Sequence, residues 1–336
     1  MEFLFEYGLF LAKALTLVIA IITVVAVVIG LASKQKQGAG NLVFESISEE
    51  FDNIKQHAEQ MLLSKEALKK LQKSKKKESK KKDDVEKPNL FVVDFVGSPM
   101  AKEVDSLRRE ITAILCVAKE EDEILVNVES GGGVVHGYGL AASQLQRVKD
   151  ANIKLTVSID KVAASGGYMM ACVADKVIAA PFAIVGSIGV IAQLPNFNKL
   201  LKKNDIDFEM HTAGQFKRTL TMLGENNDEG RAKFKEEIEG VHELFKEHVK
   251  TNRESLDLDK VATGEYWYGQ KAKELALVDE LQTSDDYLLK AHEHYKLFKL
   301  KYESKKTLAQ KLGLAANVVV DNLSDKVFSL MRYNKF

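Results

Sequence analysis

Cysteine is scarce in this chain: only Cys116 and Cys172 occur in 336 residues. Two such residues build neither a disulfide framework nor a cysteine-rich zinc centre, and both are expected to pack as small buried hydrophobes. Proline is nearly as rare, at four residues, which excludes collagen-like and proline-rich classes. A surplus of charge is missing too, since 48 Lys and Arg balance 48 Asp and Glu. That argues against a globally basic nucleic-acid binder and against an acidic disordered chain. No HExxH or CxxC pattern is present, which counts against zinc hydrolysis. What remains is an apolar fraction of 46%, enough to bury a real core. The length suits one large catalytic domain with additions, or two modest domains.

Zero net charge conceals segregation along the chain. Ala14 to Ala32 is an uncharged run of 19 residues rich in Val, Ile and Leu. A helix of that length, at about 1.5 Å per residue, matches the roughly 30 Å hydrocarbon core of a bilayer. A cleaved signal peptide has a shorter apolar run of about 7–15 residues behind a basic start, whereas this chain starts with Glu2 and Glu6. A buried core helix ordinarily keeps a polar stripe. The run therefore reads as a membrane anchor. Lys13 on one side nearly balances Lys34 and Lys36 on the other, so the positive-inside rule leaves its orientation open.

The anchor is expected to occupy residues 1–36 and a polar spacer residues 37–88. Within the spacer, Ile47, Phe51, Ile54, Ala58 and Met61 recur at helical spacing and predict a short amphipathic helix. A lysine cluster starting at Lys73 follows, fit either for anionic lipid headgroups or for a solvated linker. The body then starts at Asn89. NLFVVDF (89–95), EILVNVE (123–129) and KLTVSID (154–160) read as short buried strands, with helices expected over about 101–119, 137–150, 228–254 and 269–276. Strands alternating with helices imply an α/β fold with a mostly parallel sheet. The uncharged stretch Val177 to Leu194 is interrupted by Pro181, Gly186 and Gly189, and reads as buried strands and turns rather than a second span. The body is expected over 89–300 and a basic amphipathic tail over 301–336, where from Ser304 onward six Lys and Arg stand against two Asp.

Three glycine-marked turns carry possible chemistry, each expected at the end of a strand. Glu129-Ser130-Gly131-Gly132-Gly133 can turn backbone N–H groups toward a ligand without side-chain obstruction, as an oxyanion hole requires. Glycine for turn geometry alone is the plainer reading. Ala163-Ala164-Ser165-Gly166-Gly167 sits between a strand and the stretch YMMACVAD, and resembles a nucleophile elbow. It departs from the usual elbow in having alanine at 163, and an ordinary N-cap serine would fit the same place. His211-Thr-Ala-Gly-Gln-Phe-Lys217 is the third turn, with His211 ending the expected strand IDFEMH. A serine nucleophile needs a base, and spacing alone leaves His136, His211 and Lys217 open. The remaining histidines sit in charged, exposed-looking contexts. A lysine serves as base where burial lowers its pKa from about 10.4 to about 7–8.

Four motifs in order, ESGGGVVHGYG (129–139), AASGGYMMACVADKV (163–177), APFAIVGSIGV (180–190) and TAGQFKRTLT (212–221), resemble the signal peptide peptidase, or protease IV, family. With the apolar N-terminal run and TGEYWYGQKAKELALVDEL (263–281), the likeness is to the bacterial inner-membrane branch of that family. It covers residues 89–285 continuously. The resemblance implies a Clp protease/crotonase-like fold of stacked ββα units around a parallel sheet. It also implies a Ser/Lys dyad: Ser165 as nucleophile, Lys217 as general base, Ser187 orienting the lysine, and the N–H groups of Gly132 and Gly166 forming the oxyanion hole. No cofactor or metal is implied. One departure is visible, because the family has Ser-Pro-Gly-Gly where this chain has Ser130-Gly131-Gly132-Gly133. Losing the proline loosens the turn by up to about 1 kcal/mol but leaves the donors in place.

The expected activity is that of a serine endopeptidase anchored in a bacterial inner membrane, acting on peptides or membrane-protein fragments through an acyl-enzyme. The resemblance further implies a ring-like homo-oligomer, and some members build the dyad from two subunits; which arrangement holds here stays open. A crotonase-like acyl-CoA enzyme would keep the oxyanion glycines and need neither Ser165 nor Lys217. A catalytically silent membrane scaffold is the non-enzyme alternative.

Overall fold

The computed structural model describes residues 6–11, 13–17, 40–79 and 87–303. Most of the expected anchor, the end of the lysine cluster and the tail from Ser304 onward lie outside the described residues. The chain divides into two units, 1–43 with 302–336, and 44–301. In the first, residues 6–11 and 13–17 are helical, and the Gly40 N–H donates to the Tyr302 hydroxyl at 2.7 Å. Among the described residues, no helix is long and apolar enough to cross a membrane.

After β1 (Asn41–Ser46) the chain enters α1 (Ile47–Leu62), capped by the Ser46 hydroxyl, which accepts the Glu49 N–H at 3.2 Å. The spacing of Ile47, Phe51, Ile54, Ala58 and Met61 does produce a helix. Only Ile47 and Phe51 pack on the body, however, and Ile54 and Met61 face solvent. The lysine-rich stretch is helical as well, forming α2 (Lys65–Ser79). Lysine, leucine, alanine and glutamate all favour the helix, and no glycine or proline interrupts them there.

The body alternates strands and helices: β2 (Asn89–Val96), α3 (Val104–Leu115), β3 (Glu123–Glu129), α4 (Val135–Asp150) and β4 (Lys154–Ile159). Then come β5 (Val162–Ala164), α5 (Gly166–Ala171), β6 (Lys176–Ala179), β7 (Ile184–Gly186) and α6 (Asn198–Lys203). The remainder is α7 (Asp228–Asn252), α8 (Leu258–Val261), β8 (Tyr266–Tyr268), α9 (Gly269–Glu274), β9 (Glu280–Leu281), α10 (Ser284–Ala291) and β10 (Lys296–Glu303). The main sheet runs β10-β2-β3-β4-β6-β9, and every one of these pairings is parallel. Its strands are near-continuous apolar runs because both faces are covered. On one face Phe91, Val93, Ile124, Val126, Leu155 and Val157 join the large core with α3 and α4. On the other, Leu90, Val92, Leu125 and Leu297 meet Leu288 of α10, with Ile47 and Phe51 of α1 at the margin.

A second, small sheet has the order β5-β7-β8. In β4-β5 and again in β6-β7, a strand of the main sheet is followed directly by a strand of the small one. This repeated step is how a stacked ββα architecture presents two sheets in register. The step also explains Val177 to Leu194: β6 and most of β7 are buried, the turn between them exposes Pro181 and Phe182, and the chain emerges after Ile188, with Ile191 exposed.

Two expectations are corrected. IDFEMH forms no strand: residues 206–211 are exposed and irregular. Their apolar-polar alternation mimics a strand, but among the described residues no strand pairs with them. Side chains order the neighbourhood instead, with Asn196 Nδ2 donating to the carbonyls of Thr221 and Gly224 at 2.9 and 3.0 Å. Cys116 is exposed, because α3 ends there at the surface, while Cys172 is fully buried.

One polar anchor ties the far end of α7 to the main sheet. Arg253 Nη1 and Nη2 donate to Asp279 Oδ2 and Oδ1, each at 2.8 Å, and Nη2 also reaches the Ala276 carbonyl at 2.9 Å. Asp279 Oδ2 further accepts the Val177 N–H of β6 at 2.7 Å. Burial pushes the Asp279 carboxyl up, but the Arg253 guanidinium and the Val177 N–H outweigh it and hold the pKa below its ordinary value. A depressed carboxyl stabilises the fold above its unfolded pKa of about 3.9, and that contribution is lost as pH falls through the folded value. Arg253→Ala is expected to cost about 2 kcal/mol in urea unfolding at pH 7. This is less than for a fully buried pair because Asp279 keeps a third of its surface in water. The deficit relative to wild type should shrink as pH drops below about 4.

Candidate active site

The site begins where β3 ends. The Ser130 N–H donates to the Val162 carbonyl at 2.8 Å and the Ala164 N–H to the Ser130 carbonyl at 2.9 Å, stitching the first glycine turn to β5. That pairing carries the turn alongside the residues leading to Ser165. Gly132 has φ +89, and a Cβ there would lie 2.7 Å from both the Gly166 nitrogen and Ser165 Cβ. Only glycine fits so close an approach in that conformation.

Ser165 follows β5 with φ 52 and ψ −118. A non-glycine residue in this region is strained and persists only where its surroundings hold it. They do: its N–H donates to the Gly186 carbonyl at 2.8 Å, and its carbonyl accepts the Met169 N–H at 2.9 Å. Ser165 occupies the N-cap position of α5, but its hydroxyl makes no capping bond to the helix. Every residue of α5 is buried, and the Tyr168 hydroxyl donates to the Leu277 carbonyl at 3.0 Å. The Gly166 N–H, first in that helix, has no partner four residues back and faces the turn that carries Gly132.

Ser187 is the second strained serine, with φ 51. The register Ala164↔Gly186 in the small sheet sets it beside Ser165. Its N–H donates to the Glu265 carbonyl at 2.7 Å and its hydroxyl to the Gly264 carbonyl at 3.3 Å. Ser165, Gly132, Gly166 and Ser187 line a single cavity of about 1030 Å³, a size suited to a peptide segment.

A hydrogen-bonded chain supports the glycine turn from below. The Tyr138 hydroxyl donates to the Ser98 carbonyl at 2.9 Å, and its oxygen lies 2.5 Å from the Ser130 hydroxyl. Ser130 Oγ in turn accepts the Gly132 N–H at 3.0 Å. Burial pushes the Tyr138 phenol above its ordinary pKa, the Ser130 bond opposing and Glu103 adding to the rise. It therefore stays a neutral donor. The Gly132 N–H must share or exchange its Ser130 partner to serve an oxyanion.

The candidate bases are not brought together with Ser165 within one chain. Lys217 lies exposed on the irregular segment before α7, outside the cavity lining. His136 is exposed at the start of α4, and His211 is exposed beside Glu209 at 3.4 Å. Neither lines the cavity. Three polar lining residues escaped sequence reasoning: His242, Thr263 and Glu265. His242 and His248 are half-buried rather than solvated: their Nε2 atoms lie 3.2 Å from the Ile188 carbonyl and 2.9 Å from the Met169 carbonyl. Their spacing with the buried Phe245 and Val249 marks one face of α7, the signal that could have found them. Among the described residues, no group of histidine, cysteine or carboxylate side chains could hold a metal ion.

The model of the peptidase family S49 N-terminal region matches residues 2–145, and that of peptidase family S49 matches residues 147–298. A probable protease SohB of Haemophilus influenzae is 48% identical, covering 96% of this chain and 95% of its own. A probable protease SohB of Buchnera aphidicola subsp. Acyrthosiphon pisum is 46% identical over the whole of both chains. Among solved structures, a mutant of a membrane-bound stomatin-specific protease aligns with a TM-score of 0.42 at 13% identity, covering 61% of this chain and 85% of its own.

Gly132→Ala places a methyl group against the Gly166 nitrogen and Ser165. It is expected to slow labelling of Ser165 by a fluorophosphonate at least about 100-fold. The melting temperature should fall only by the few degrees that about 1–2 kcal/mol of local strain implies.

Proposed function

This chain belongs to peptidase family S49, and from that premise we propose that it hydrolyses peptide bonds with Ser165 as nucleophile and Lys217 as general base. The observation that carries the reading is Ser165 held at φ 52 beside the glycine turn, in one cavity with Ser187. Its hydroxyl is presented without a capping bond, and the Gly166 N–H stands next to it at the start of a helix, where negative charge is favoured.

Ser165 Oγ attacks the substrate carbonyl carbon as its proton passes to the neutral amine of Lys217. The oxyanion so formed is met by the Gly166 N–H and by the Gly132 N–H released from Ser130. Collapse of the tetrahedral species breaks the C–N bond, and the lysine returns its proton to the leaving amine. Water, deprotonated by the same lysine, then cleaves the acyl-enzyme ester. In this reading the Ser187 hydroxyl, which donates to the Gly264 carbonyl in the single chain, turns toward the amine and orients it.

A lysine acts as a base only once it is stripped of water. The exposure of Lys217 in the single chain, outside the cavity that holds Ser165, favours the arrangement in which the lysine enters from a neighbouring copy. The same segment exposes Ile206, Met210 and Phe216, apolar surface suited to a subunit contact in a closed ring. The apolar run from Ala14 would hold that ring at the bacterial inner membrane, and the substrates would be peptides or fragments of membrane proteins.

Equal mixing of Ser165→Ala and Lys217→Ala chains, each inactive alone, tests both the dyad and its assembly. Random exchange into rings should restore about a quarter of wild-type peptidase activity, the chance that an intact serine meets an intact lysine. A mixture that stays silent assigns the dyad to one chain. Full activity of either variant alone removes its residue from the mechanism.

A further inference from the structure

The cavity around Ser165 is lined by unlike groups. Met100, Val134, Met169, Ile191 and Phe245 contribute apolar surface, and His242, Thr263 and Glu265 contribute polar groups. Among the described lining residues, Glu265 is the sole carboxylate and no lysine or arginine accompanies it. Its place is built from two sides. The Thr263 hydroxyl donates to Glu265 Oε2 at 2.8 Å, holding the carboxylate beside another lining residue. The Glu265 carbonyl accepts the Ser187 N–H at 2.7 Å, which fixes its backbone against the strained serine.

We infer that Glu265 is a specificity-determining residue that selects substrates carrying a lysine or arginine side chain close to the bond that is cut. The inference rests on the peptidase reading of Ser165. Two other uses of the carboxylate fit less well. No ion pair engages it among the described residues, its side-chain partner being the neutral Thr263, so it is not part of a structural pair. Nor does it suit the base, since an anion beside a lysine favours the charged amine and works against proton acceptance. A peptide filling the cavity, by contrast, displaces water from the carboxylate in a site lined largely by apolar residues. That desolvation is offset when the peptide brings a cation, left uncompensated by a neutral side chain, and worsened by an acidic one.

The full chain carrying Ser165→Ala, which arrests hydrolysis, is titrated in detergent at pH 8, where an ordinary histidine is neutral. The probes are matched fluorescein-labelled decapeptides with lysine, norleucine or glutamate at the central positions, read by anisotropy. The lysine peptide is expected to bind about tenfold tighter than the norleucine peptide, with the glutamate peptide weakest. The preference should shrink at about 0.5 M salt. Adding Glu265→Gln should level lysine with norleucine, and Glu265→Lys should invert the order in favour of glutamate. An unchanged order in Glu265→Lys overturns the inference, as does equal binding of the three peptides, absence of binding included. Hydrolysis by the wild-type chain reports separately: cleavage without charge preference removes only the role of Glu265, and charge-selective binding without cleavage removes only the peptidase chemistry.

Discussion

The backbone bond from the Ser165 N–H to the Gly186 carbonyl, 2.8 Å long, joins the two turns on which the site depends. It continues the parallel pairing of β5 with β7, so the register that sets Ala164 against Gly186 also sets Ser165 next to Ser187. Both serines have φ near +50, a conformation that costs about 1–3 kcal/mol for a residue with a side chain. Neither could hold it on a free loop. Each is trapped because its N–H has a fixed acceptor, Gly186 at the end of β7 for one and Glu265 just before β8 for the other.

The strain is carried by the core beneath. Tyr168, Met170 and Cys172 are buried without exposure, and the helix that follows Ser165 is thereby pinned from its first turn. The face of α7 bearing His242, Phe245, His248 and Val249 backs the same region, with its two histidines reaching the Ile188 and Met169 carbonyls. These carbonyls belong to the segments just after Ser187 and Ser165. The long helix thus braces both turns at once, and the Arg253–Asp279 pair fixes its far end to the main sheet. Rigidity around Ser165 is built from packing beneath it rather than at its hydroxyl.

Much of this was legible in the residues. NLFVVDF, EILVNVE and KLTVSID became strands of a parallel sheet because uninterrupted apolar runs bounded by turns have few other ways to be buried. The glycine turn and Ser165 were found because their neighbours are small residues in unusual clusters, the mark of backbone that must approach closely, whereas Ser187 came only from the family resemblance. IDFEMH misled because alternation says how a segment would pair, not whether an edge is available. His242 and Glu265 were missed because each reaches the cavity from a part of the chain far from Ser165, and the helical spacing of His242 with Phe245 and Val249 marks a buried face without saying what it faces.

The linear sequence by itself determined the segregation of an uncharged run, a lysine-rich stretch and an α/β body, and the identity of the turns able to bear a reactive serine. Those are local properties, set by side-chain polarity, helix propensity and the conformational freedom of glycine. The tertiary structure alone decided which turns meet. It placed Gly132, Gly166, Ser165 and Ser187 around one cavity, gave that cavity a carboxylate, and left Lys217 on the surface. Proximity of this kind follows from strand register and sheet order, which pair residues that are distant along the chain and which no stretch of it specifies alone.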